Sequence, residues 1–142
     1  MKLTMMLADS AQAVEGKLYI LGGGWSITGP EPNPMAVAIK VDVPWDQANQ
    51  RREFKLALSD EDGQPFIVPT PTGERPIEII GQFEVGRPPG LKPGTTLDFA
   101  LAINLGPLPL RPDTAYVWRF YVDGETKDDW RLGFTTRPAK PT

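Results

Sequence analysis

Met35-Ala36-Val37-Ala38-Ile39-Lys40-Val41-Asp42-Val43 alternates its side chains with a period of two, so that Met35, Val37, Ile39, Val41 and Val43 share one side and Ala36, Ala38, Lys40 and Asp42 the other. An extended chain sends successive side chains to opposite faces of a sheet, and the stretch reads as a strand with one buried face. The same period recurs on both sides of it. Phe54, Leu56 and Leu58 stand against Glu53, Lys55 and Ser59; Ile77, Ile79, Phe83 and Val85 against Glu78, Gln82 and Glu84; Leu97, Phe99, Leu101, Ile103 and Leu105 against Asp98 and Asn104. Further on, Tyr116, Trp118, Phe120 and Val122 alternate with Arg119 and Tyr121, turn through Asp123-Gly124, and return as Trp130, Leu132 and Phe134. Before the central stretch, Leu3, Met5 and Leu7 mark a first strand and Lys17 to Leu21 a second, with Val14-Glu15-Gly16 as the turn between them.

This pattern predicts an all-β fold: a single antiparallel β-sandwich of about eight strands, with a β-barrel as the alternative. No connection carries an apolar pattern at helical spacing over three turns, and Trp45 to Arg52 makes at most a short helical turn. Most of the 16 prolines fall between the expected strands, where a missing N–H costs no ladder bond; Val68-Pro69-Thr70-Pro71 reads as a rigid loop. At 142 residues the chain is long enough to bury a core as one domain, placed at 1–137, with a short exposed tail at 138–142.

Composition narrows the chemistry. The chain holds no cysteine and no histidine, which removes thiol nucleophiles, zinc-thiolate sites, disulfides and the commonest general base and metal ligand. The expectation is therefore no enzyme, no catalytic residue, no metal and no cofactor. A formal charge of −3 supplies no basic field for nucleic acid, and no stretch approaches the length of an apolar membrane span. The start, Met1 to Asp9, is too short in apolar residues for a secretory signal, and a cytoplasmic location is expected.

Four local features invite a functional reading. Gly22-Gly23-Gly24-Trp25 lacks the spacing and the following Lys of a phosphate loop and reads as a bulge or bend that aims Trp25 into the core or across a sheet edge. Asp60-Glu61-Asp62-Gly63 resembles the start of a calcium loop but lacks the remaining ligands, so a solvated turn is expected. The paired carboxylates that glycoside hydrolysis would need fall mainly on polar faces and turns. Among the aromatics, Trp118 and Trp130 share phase with the core, whereas Trp25 and Trp45 lie near strand ends and Tyr19 and Tyr121 on the side away from apolar neighbours. Those four are the expected binding-surface residues.

Leu7-Ala8-Asp9 followed by Val14-Glu15-Gly16-Lys17-Leu18-Tyr19-Ile20-Leu21-Gly22-Gly23-Gly24-Trp25 resembles the N-terminal signature of a family of small uncharacterised bacterial β-sandwich proteins, a domain of unknown function. Ala48-Asn49-Gln50-Arg51-Arg52 and Leu58 to Gly63 are similar to the same family, and the likeness covers about the first half of the chain. The resemblance implies a bacterial cytoplasmic β domain and carries over no functional residue.

The function expected from these readings is a non-catalytic binding or assembly module, acting through a sheet face, a sheet edge or a loop cluster, with a protein partner or self-association. Ala36, Ala38, Ala100 and Ala102 supply the specific clue, a second face of small residues that either another layer of the monomer or an oligomer must cover. One alternative is a structural or decoration subunit of a larger, phage-like particle. Another is a lectin-like domain that binds carbohydrate or a small ligand through Trp25, Trp45 or the acidic turn.

Overall fold

The computed structural model describes residues 1–140 and contains eleven strands and one turn of 3-10 helix. The strands are β1 (Lys2–Val14), β2 (Lys17–Gly23), β3 (Ile27–Thr28), β4 (Met35–Val43), β5 (Arg52–Asp60), β6 (Ile67–Thr70), β7 (Gly73–Pro76), β8 (Glu78–Phe83), β9 (Leu97–Leu105), β10 (Ala115–Val122) and β11 (Arg131–Thr136). The 3-10 turn spans Trp45–Gln47, inside the stretch expected to make one. All eight expected strands form. The other three, β3, β6 and β7, have two to four residues each, too few to show a period.

One sheet has the order β2-β1-β4-β9 and the other β3-β11-β10-β5-β8. Among the described residues no ladder joins the two, so the fold is a sandwich and not a closed barrel. Every long pairing is antiparallel, and only the short β3–β11 pair is parallel. The core lies between the sheets and follows the predicted period. Met35, Val37, Ile39, Val41 and Val43 from β4 face Leu56 and Leu58 from β5 and Tyr116, Trp118 and Phe120 from β10, all nearly inaccessible to solvent. Aromatic rings fill much of this space: Phe54 stacks on Phe120 at 5.8 Å, Phe83 on Phe99 at 4.8 Å, and Tyr116 on Phe134 at 5.7 Å.

The proline-rich segment read as a loop is a two-stranded ribbon, in which β6 pairs β7 from Ile67↔Pro76 to Thr70↔Gly73. An isolated ribbon has two free edges, so Pro69 and Pro76 can sit in it with their nitrogens turned outward. Arg137 to Lys140 follow β11 as exposed chain. The last part of the expected tail, Pro141 and Thr142, lies outside the described residues.

Most of the alanine face of the first sheet is covered by the chain itself, while Ala100, which pairs Lys40, stays half-buried outside that cover. Ala8, Ala11, Ala36 and Ala38 form a second, small buried cluster against which Leu18 and Ala102 pack. The cover is the end of the β1–β2 hairpin and not a second sheet. β1 pairs β4 only as far as Ala8↔Ala36, and beyond that point it runs on with β2 alone. There the Asp9–Gly22 pair is missing from the ladder, Gly22 has φ +63°, and Gly24 N–H donates to the Leu7 carbonyl at 2.7 Å. The kink shifts the phase of alternation, which is why Ala8 and Ala11, three residues apart, share one cluster. It also lifts the hairpin over the sheet, and the Asn104 side chain on β9 reaches across to accept from Ala11 N–H at 3.1 Å and donate to Ala11 C=O at 2.8 Å.

Candidate functional site

The four expected surface residues occupy separate places. Trp25 follows the glycine bend as predicted, but it is half-buried and meets Phe134 edge-on at 6.3 Å. Trp45 opens the 3-10 turn, and the Arg87 guanidinium lies over its ring at 4.5 Å while donating to its carbonyl through Nη2 at 2.6 Å. Tyr121 lies on the outer face of the second sheet with Lys55 Nζ 4.4 Å from its ring centre. Tyr19 lies on β2 at the rim of the first sheet. Two of the four thus have a ring face taken by a cation, one packs on a core aromatic, and Tyr19 is 56% exposed.

The outer face of the second sheet is the more polar region. Arg119 and Arg131 stand directly opposite each other across β10 and β11, an arrangement that repels, and Arg119 turns one Nη1 donor to the Lys127 carbonyl at 3.2 Å. The acidic turn beside it is built as a turn: Asp60 Oδ1 accepts from the N–H groups of both Asp62 and Gln64 at 2.9 Å. An open groove of about 610 Å³ runs between Val85–Pro88 and Leu97–Phe99.

Exposed apolar side chains gather elsewhere, on the β1–β2 hairpin. Met6, Val14, Tyr19, Ile20 and Leu21 are five of the nine large apolar residues that the described surface leaves exposed, and Leu21 reaches 70%. β2 is also a terminal strand, so one side of its backbone has no ladder partner. Natural edges are commonly guarded by charge, proline or bulges. The edge of β9 carries Asp98 and Asn104 and is flanked by Pro93 and Pro107, and β8 carries Glu78 and Gln82. From Leu18 to Gly29 there is no charged residue at all. A shallow hollow of about 430 Å³ lies on this hairpin, lined by Tyr19, Ile20 and Leu21 together with Ser10, Gln12 and Asn104.

Sequence reasoning found Tyr19 but not Ile20 and Leu21, which it placed on the second strand without a role. The signal available was the absence of polar residues on either parity of Leu18 to Leu21. A strand that is apolar on both faces is either buried on both or looks for cover.

The model of a family of unknown function, DUF6941, matches residues 3–135, from β1 into β11, and the chain belongs to that family. No curated protein and no solved structure matches it.

Proposed function

We propose that the protein is a non-catalytic binding or assembly module whose working surface is the free edge of β2 and the hairpin face beside it. The observation that carries this reading is the coincidence, on one strand, of an unpaired backbone edge, no charged residue beyond Lys17 at its start, and the exposed side chains of Tyr19, Ile20 and Leu21. A strand added to such an edge gains main-chain hydrogen bonds, while the alternate side-chain positions give it specificity.

The alanine cluster supports the same reading. By packing the hairpin close over Ala36 and Ala38, and by fixing Ala11 through Asn104, the fold holds the edge in one orientation. A preorganised edge loses less on binding than a mobile one.

The test is capture from the native lysate by immobilised protein, with the wild type compared against a Tyr19→Lys, Leu21→Lys double variant that leaves the core untouched. The reading expects material held by the wild type to be lost with the variant. An identical set held by both, or nothing held by either, would contradict it.

A further inference from the structure

Resting on that reading, we infer that the occupant of the β2 edge is the β2 edge of a second copy of this chain, antiparallel about a two-fold axis that passes between the two Tyr19 residues. The argument begins at the turn. Glu15 and Gly16, with φ of +51° and +74°, form the two-residue loop that closes the Val14↔Lys17 pair. Positive φ at both central positions marks the hairpin turn whose closing pair exchanges both of its hydrogen bonds. Hydrogen-bonded and open pairs then alternate, so Gln12–Tyr19 and Ser10–Leu21 are bonded within the hairpin. The N–H and C=O groups of Leu18 and Ile20 therefore point away from β1, to the free edge. Ala11, the partner of Ile20, obeys the same alternation: its N–H and C=O turn away from β2 and are met by Asn104.

A two-fold pairing that engages both free-edge residues sets Leu18 against Ile20 of the second copy and Tyr19 against Tyr19, an open pair in which side chains approach closely. The rings then meet across the axis, and each Leu18–Ile20 pair exchanges both of its hydrogen bonds. Charge selects the same occupant. In this register Lys17 faces Leu21 of the second copy, one residue from Gly22. Over Gly22 lies the Asp9 carboxylate, which a Cβ added there would strike. Neither Lys17 nor Asp9 forms a salt bridge among the described residues of its own chain. The pairing brings the lysine of each copy beside the aspartate of the other, and holds the two lysines apart at opposite ends of the seam.

The chain has no cysteine, so a single introduced thiol can bridge only to another copy. Cα atoms of an open antiparallel pair lie roughly 4.5 Å apart, within the span of a disulfide. Purified Tyr19→Cys is expected to oxidise to a covalent dimer well ahead of Lys17→Cys, whose counterpart across the seam is Leu21. In sedimentation equilibrium the wild type and Tyr19→Phe should dimerise alike, and Tyr19→Lys should dimerise at least tenfold more weakly. Lys17→Glu should also weaken the dimer, and adding Asp9→Lys should restore it.

A wild type that stays monomeric at its highest soluble concentration, or a Tyr19→Cys that bridges no faster than Lys17→Cys, would overturn the second copy as occupant. If lysate capture still depends on Tyr19 and Leu21 in that case, the binding surface stands and only its occupant is wrong. If capture fails as well, both readings fall.

Discussion

Asn104 holds a length of hairpin with one side chain. Its carboxamide satisfies both backbone groups of Ala11, and removal leaves a half-buried donor and acceptor to find water. Asn104→Ala should cost about 1 kcal/mol in urea unfolding and make the Ala11 amide exchange faster, since the penalty is that of orphaned polar groups at a partly wet site. Gly81 is constrained differently, by the Phe54 ring: an added Cβ would lie 2.6 Å from ring atoms Cε1 and Cζ. Gly81→Ala should displace that ring from its stack on Phe120 and cost about 1–3 kcal/mol by overpacking, measured by the same unfolding. Asp123 contributes an acid dependence. Its carboxylate accepts from Glu53 N–H at 2.9 Å and pairs with Arg52 at 3.2 Å, and these contacts hold its pKa below the ordinary aspartate value. Its stabilisation is therefore complete above the unfolded value and is lost as pH falls through the lowered folded one. The pair is exposed, so Asp123→Asn should cost under about 1 kcal/mol near neutrality, with the gap closing in acid. A gap that persists at low pH would contradict this.

At the level of elements, the β1–β2 hairpin joins the fold to the proposed function, and its kink was only partly legible. The glycine run announced a bend, and the even positions of β4 announced a small-residue face that needed cover. What period-two reasoning could not supply was that the bend lies within a continuous ladder, that Asp9 opposes Gly22 there, and that the phase of β1 shifts so that Ala11 joins Ala8. Periodicity reports which side a residue takes along a straight strand, and it loses that information across a kink. Nor did the segment around Pro69 declare itself as a ribbon, because its pairing depends on free edges that a sequence does not display. Ala36 gives the test at this scale. It is wholly buried beneath the hairpin, and Ala36→Leu should lift that hairpin and destabilise the fold by about 1–3 kcal/mol. Faster amide exchange through Ala11 should accompany the loss.

For the whole molecule, the alternation first seen in Met35 to Val43 pointed to a sandwich with a barrel as the alternative, and the strand order decides for the sandwich, in which each sheet buries its apolar face against the other. The second sheet shows its charges, including the opposed Arg119 and Arg131, on the outside. The first sheet hides Ala36 and Ala38 under its own hairpin and so places an apolar edge at the rim. Composition could remove thiol and imidazole chemistry from consideration, but it could not point to that rim, since exposure is a property of strand order. The most direct measurement is amide hydrogen exchange along β2 of the wild-type protein over a range of concentrations. The account predicts that Tyr19 and Leu21, bonded to β1, are slow throughout, while Leu18 and Ile20 are fast when dilute and slow as concentration rises. Leu18 and Ile20 amides that stay fast at every concentration, with new protection arising instead along β8 or β9, would contradict it.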